Sequence, residues 1–357
     1  MVVIDLLKVF VPAAAAFWIG IAIAPIVTHY LYRYRVWKKS PGKTALDGTA
    51  AVEFGKLRDA TETKTPRMGG IVIWGAVALT IGIMWFFARV FPNDISTKLD
   101  FFSRSQTWIP LSTLILGAIV GFVNDILDVV GDMGERGIPL RIRILFVTIL
   151  STAIGWWFYA KLDVTSVGLP FGGGELFIGW LIVPLFVFIS LCLYASGIID
   201  GIDGLSGGVF ASIFTAYSFI AFNQDQIDLA AFCATVVGAL LAFLWFNVPP
   251  ARFWMTETGS MGLTLTIAVV AFMTDTLGEG KGIAALPVIA FLLVVTVASN
   301  VIQILSKHFR NGKKVFRIAP LHHHFEAIGW PGPKVTMRYW ILSIIFAIAG
   351  VSLALLK

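Results

Sequence analysis

Apolar stretches of about twenty residues recur along the chain, separated by short segments where charge, glycine and proline gather. They place helices near residues 10–31, 69–90, 107–124, 144–160, 176–196, 205–222, 229–246, 261–273, 283–305 and 339–356. Runs of this length match the ~20 residues a helix needs to cross a bilayer. A membrane barrel would instead show alternating segments of about ten residues. The pattern predicts an all-α polytopic membrane protein with about ten transmembrane helices.

Composition agrees, with 57% of the 357 residues hydrophobic and 13% charged. A soluble domain carries about a quarter charged residues, so a water-soluble globule is excluded. The two cysteines, Cys192 and Cys233, both lie inside apolar runs and form no disulfide or metal-type spacing. The longest hydrophilic stretches, 32–68 and 306–338, are too short to bury a core of their own, so residues 1–357 read as a single integral-membrane domain.

The net charge of +6 acquires meaning once it is assigned to the two membrane faces. The first apolar run is followed by Arg33, Arg35, Lys38 and Lys39, which marks a retained helix with its N-terminus outside. Alternation then puts 32–68, 125–143, 197–204, 247–260 and 306–338 on one face, together holding 20 of the 27 lysines and arginines. That face is expected to be cytoplasmic, with both termini outside. Sidedness accounts for the basic character without nucleic acid as a partner.

The short cytoplasmic segments hold Asp125, Asp128, Asp200, Asp203 and Glu257, which are expected to converge on one cytoplasmic cavity; ordinary loop polarity is the plainer alternative. In "SGIIDGIDGLSGG", Asp200 and Asp203 are spaced to share one face of a helical turn. Two anions so placed call for a cation, and Mg²⁺ with a phosphate substrate is the economical choice. Helix capping by aspartate is the competing reading. Glu257, Thr258, Gly259 and Ser260 precede an apolar run, which suits either an anion site at a helix N-terminus or a simple cap. In "APLHHHFEAIGW", three adjacent histidines read as a loop presenting one or two imidazoles inward. Lys313, Lys314 and Arg317 upstream add donors for phosphate oxygens. A Zn²⁺ site competes with this reading, but no cysteine accompanies the histidines.

Taken in order, "TPRMGG" (65–70), "GFVND" (121–125), "DGIDGL" (200–205), "NVPPARFWMTETGS" (247–260) and "PLHHHFE" (320–326) resemble the polyprenyl-phosphate sugar-1-phosphate transferases. The histidine string resembles the phospho-MurNAc-pentapeptide transferase branch, over nearly the whole chain. The resemblance implies Mg²⁺-dependent transfer of phospho-MurNAc-pentapeptide from UDP-MurNAc-pentapeptide to undecaprenyl phosphate, giving lipid I and UMP. It also implies a homodimer in the bacterial cytoplasmic membrane, among membrane lipid, with the active site facing the cytoplasm. Carried over by position, it implies catalytic roles for Asp125, Asp200, Asp203, His322, His323 and His324. Substrate contacts fall to Lys64, Asn124, Arg143, Asn247 and Gln303, and metal contacts to Glu257 and Asp200.

Several positions depart from the family pattern. Asn124 replaces the first acid of an Asp-Asp pair, Asp128 a lysine, Gly197 an asparagine, Arg67 a threonine, Thr256 a glycine and Glu257 an aspartate. Glu62 replaces a lysine, for which Lys64 is near enough to substitute. These departures leave open a different UDP-sugar or a silent relative that only binds. A secondary transporter is a third alternative, although it would place ionisable groups near the bilayer midplane.

Overall fold

The computed structural model describes residues 2–39, 55, 63–103, 106–131, 137–171, 173–278 and 280–356. The chain opens with α1 (Val2–Arg33), α2 (Ile71–Val90), a short α3 (Asp94–Leu99), α4 (Trp108–Val130) and α5 (Leu140–Lys161). A small antiparallel hairpin of β1 (Ser166–Gly168) and β2 (Glu175–Phe177) leads into α6 (Ile182–Ser196). Then come α7 (Leu205–Asn223), α8 (Ile227–Asn247), α9 (Thr256–Met273), α10 (Gly282–Ile289) and α11 (Phe291–Phe309). A short α12 (Leu321–Ala327) and α13 (Gly332–Leu355) complete it. Among the described residues, ten helices are long and apolar enough to cross a membrane.

The expected all-helical class therefore holds with one small hairpin added, and four boundaries are corrected. Helix α4 runs past residue 124 to Val130, so Asp125 and Asp128 lie on a helix rather than in a loop. Helix α9 starts at Thr256 and takes in Glu257. Polar residues ended both apolar runs in the sequence, but these polar groups are paired across the two helices, and the helical backbone continues. The run 283–305 is two helices interrupted at Ala290. The histidine string is a helical turn, α12, rather than a loop.

Burial separates centre from periphery. Helices α7, α8 and α9 are buried over 78%, 78% and 94% of their apolar windows, whereas α5 reaches 22%. Helix α1 packs on α8, α4 on α9, α5 on α6, and α13 on α7. The outer helices keep apolar residues exposed, among them Ile142, Leu145 and Ile149 on α5 and Ile341, Ile344 and Ile348 on α13. Such faces suit contact with lipid. Without a hydrophobic drive between helices in a bilayer, close packing comes from small residues. Helix α4 meets α9 through Gly121, where a Cβ would lie 1.9 Å from the Glu257 carbonyl oxygen. That contact fixes where the acids of α4 sit against the start of α9.

Gly121→Ala is expected to destabilise the protein by about 1–3 kcal/mol, as overpacking does. Gly82, with nothing within 4 Å of its would-be Cβ, serves as the matched site. Gly82→Ala should be neutral or stabilising by up to ~1 kcal/mol. Thermal midpoints of the two variants in the same detergent check both signs.

Candidate active site

The start of α9 is buried, and its free N–H groups need acceptors away from water. Asp125, fully buried on α4, provides one. Its Oδ2 accepts from Thr258 N at 2.8 Å, Thr258 Oγ1 at 2.6 Å and Thr256 Oγ1 at 2.5 Å. A carboxylate at a helix N-terminus also gains from the helix dipole. Asp125 is thereby fastened to α9, and its other oxygen lies 3.4 Å from Arg67.

Asp200 approaches the same turn from the stretch before α7. Its Oδ2 accepts from Thr256 N at 2.7 Å and its Oδ1 from Ser206 Oγ at 2.7 Å. Burial raises the Asp200 carboxyl above its ordinary pKa; the donors from Ser206 and Thr256 oppose that shift, Asp125 adds to it, and Arg67 opposes it. Thr256 thus links Asp125 and Asp200, and it does so at φ 53°, a left-handed conformation that a β-branched residue rarely adopts. A glycine at this position, as in the resemblance, would take that φ without strain.

Asp203 and Asn247 hold the segment that leads into α9. Asp203 accepts from Ala251 N and Trp254 Nε1, both at 3.0 Å. Asn247 accepts from Gly204 N at 2.9 Å and donates to Phe253 O at 2.8 Å. Asn124 accepts from Ile138 N at 2.9 Å, steadying the approach to α5.

Two arginines reach the acids. Arg67 pairs with Asp128 at 2.9 Å while lying beside Asp125. Arg143, in the first turn of α5, pairs with Glu257 Oε1, and the Tyr194 phenol of α6 lies against the same guanidinium. Glu257 Oε2 is buried with no hydrogen-bond partner.

The histidines approach over Gly201. A Cβ there would lie 2.5 Å from His323 Nε2 and 2.7 Å from His322 Nε2, so any side chain at this turn would displace both imidazoles. His323 Nδ1 faces Glu326 Oε2 at 2.8 Å, which leaves Nε2 turned to Gly201. His324 turns away, its Nδ1 accepting from Arg317 N at 3.2 Å. Gln303 braces the preceding segment through Val315 N, Phe316 N and Phe316 O. Lys64 is exposed in a turn, and Glu62 lies outside the described residues.

The structure therefore brings Asp125, Asp200, Glu257, Arg143, His322 and His323 around the start of α9 and the Gly201 turn. Asp203, Asn124, Asn247 and Gln303 brace its frame, and His324 turns to Arg317 instead. Sequence reasoning assigned no role to Tyr194 or Ser206, while Thr258, expected at a helix N-terminus, proves to hold Asp125 of α4. Arg67 was visible as an unexpected cation, but its acidic partners were not. Among the described residues, no three His, Cys, Asp or Glu side chains form a ready metal cage. Hard oxygen donors with one open carboxylate oxygen at Glu257 nevertheless fit Mg²⁺, which commonly takes one or two carboxylates and fills its shell with water and phosphate.

Comparison with known proteins matches the profile of Glycosyl transferase family 4 over residues 107–275. The chain is similar to curated phospho-N-acetylmuramoyl-pentapeptide-transferases. One from Geobacillus sp. (strain WCH70) is 32% identical, covering 94% of each chain. One from Geobacillus thermodenitrificans is 31% identical over 96% of this chain and 97% of the relative. One from Chloroflexus aggregans is 30% identical over 99% and 91%.

Thr256→Gly should be close to neutral in thermal stability, because relief of ~1–3 kcal/mol of backbone strain offsets the lost hydroxyl. Thr256→Val keeps the strain and loses the bond to Asp125, so its midpoint should fall clearly below that of Thr256→Gly. A double-mutant cycle checks the second arginine contact: Arg67→Thr strands Asp125 and Asp128 beside each other, and adding Asp128→Lys should recover stability by about 1–3 kcal/mol.

Proposed function

We propose that this chain, which belongs to the family of phospho-N-acetylmuramoyl-pentapeptide transferases, moves phospho-MurNAc-pentapeptide from UDP-MurNAc-pentapeptide to undecaprenyl phosphate, releasing UMP and forming lipid I. The observation that carries this reading is the gathering of Asp125, Asp200, Glu257, Arg143 and the Nε2 atoms of His322 and His323 at the start of one buried helix. The excess of lysine and arginine on the same side of the chain's crossings supports a site facing the cytoplasm of a bacterial cell. A homodimer is added on the resemblance alone.

In the proposed reaction, an oxygen of the lipid phosphate attacks the phosphorus next to the sugar, and the bond from that phosphorus to the bridging oxygen breaks in favour of UMP. The second pKa of a phosphate monoester is near 6, so the nucleophile is already mostly ionised at neutral pH and needs little help from a base. Asp125 therefore serves by fixing α9 rather than by taking a proton. Mg²⁺ held by Glu257, with Asp200 beside it, would neutralise the diphosphate and the departing UMP. Arg143 offers a fork of N–H donors to phosphate oxygens. Glu326 holds the His323 ring through Nδ1, which leaves Nε2 turned toward the site where the phosphates would lie. Positioning and charge neutralisation supply most of the rate, as is usual for phosphoryl transfer.

The test is UMP release by the purified chain with Mg²⁺, undecaprenyl phosphate and either UDP-MurNAc-pentapeptide or UDP-GlcNAc. Release is expected from the muramyl substrate, falling by about 10²-fold or more in Asp200→Asn, the scale on which lost electrostatic stabilisation acts. Turnover from UDP-GlcNAc alone would reassign the sugar. Near-normal rates in Asp200→Asn would remove the metal-centred site.

A further inference from the structure

We propose that Arg143 gates the metal site: it occupies Glu257 in the resting protein and passes to the diphosphate of the arriving nucleotide, so that the divalent cation and the nucleotide bind cooperatively. The inference rests on the functional reading above and adds an order to it.

Most of the acids at the site are already engaged. Asp125 holds Thr256, Thr258 and Arg67. Asp128 is taken by Arg67, Asp200 by Ser206 and Thr256, and Asp203 by Ala251 and Trp254. Glu257 has one oxygen on Arg143 and the other buried without a partner. Arg143 is incompletely satisfied as well, since its Nε is buried with no hydrogen-bond acceptor. Each member of the pair thus has capacity for a second ligand, of opposite sign in the two cases.

A divalent cation at Glu257 would sit beside the guanidinium, and two cations that close in a partly buried place repel strongly. The resting site is therefore a poor metal site. A diphosphate reverses this, because its oxygens match the guanidinium fork and are better acceptors for it than a single carboxylate oxygen. Arg143 needs only side-chain rotation from the first turn of α5, where it is partly solvent-accessible, while Tyr194 steadies it from α6. Once it turns, the Glu257 carboxylate would be released to hold the cation, which commonly fills its other positions with phosphate and water. The cation and the nucleotide then strengthen each other's binding by the same factor, as linkage requires.

The test uses Mn²⁺ as the probe and UDP as the nucleotide, with water-proton relaxation reading protein-bound Mn²⁺ on the full chain in detergent. The slow tumbling of the protein separates its signal from Mn²⁺ chelated by UDP in solution. Wild type should bind Mn²⁺ weakly alone and about tenfold or more tightly with saturating UDP. Arg143→Gln should bind Mn²⁺ more tightly than wild type in the absence of UDP, a gain that a merely disturbed fold does not produce. Its coupling should be clearly smaller than that of wild type, the remainder coming from direct ligation of the cation by phosphate. Arg143→Lys, which keeps the charge, should keep the coupling, and Glu257→Gln should lose the bound signal. Equal Mn²⁺ affinity in wild type with and without UDP, or unchanged coupling in Arg143→Gln, overturns the gate while leaving the transferase reading to its own UMP assay. Unaltered Mn²⁺ binding in Glu257→Gln would overturn Glu257 as the metal ligand, and the gate with it.

Discussion

The constraint on which the site depends is the buried N-terminus of α9. A helix that begins inside a membrane protein exposes N–H groups that neither water nor lipid can satisfy, and each unmet donor is costly. Asp125 and Asp200 meet that need from two other segments, through Thr258 and Thr256. The same bonds fix the relative position of α4, α9 and the approach to α7. They also deliver Glu257, the next residue along, to a fixed place beside α5. Acids that satisfy a structural demand thereby define a functional geometry, which is why the site sits at helix ends.

The departures from the family pattern form two local sets once the side chains are in view. Arg67 stands where a threonine is expected, and Asp128 where a lysine is expected, yet the two pair at 2.9 Å. The cation has moved from the helix to the neighbouring segment of chain, and the net charge of the two positions falls by one unit. Asn124 in place of an acid removes one negative charge next to Asp125 and spends its carbonyl on Ile138 N. Thr256 in place of glycine costs backbone strain and returns a hydroxyl bond to Asp125.

Much of the architecture was legible in the sequence because a bilayer demands long apolar runs, and ten such runs were countable. The boundaries that failed share a cause. At Asp125 and Glu257 a polar residue reads as the end of an apolar run, but a polar residue paired across a helix interface does not end the helix. The acids and histidines of the site were legible as residue types in separated strings. Their division of labour was not, since Asp203 and Asn247 look as reactive in the sequence as Asp200 yet spend their polar atoms on Trp254, Gly204 and Phe253.

Helix α9 is anchored at its far end too, where Asp275 accepts from Gly168 N at 2.7 Å and Ile283 N at 2.8 Å. Burial raises the pKa of that carboxyl to about 6, against the pull of those donors. Tied to β1 and α10 at one end and to α4 at the other, the central helix can neither slide nor turn cheaply. Motion at the site is then left to the side chains that reach into it, and the longest of these are Arg67, Arg143 and Glu257. A glutamate where the family has aspartate adds one methylene to an arm rooted in a fixed helix. That length lets the carboxylate meet Arg143 on α5, and it makes the exchange of partners at Glu257 a matter of rotamers rather than of backbone movement.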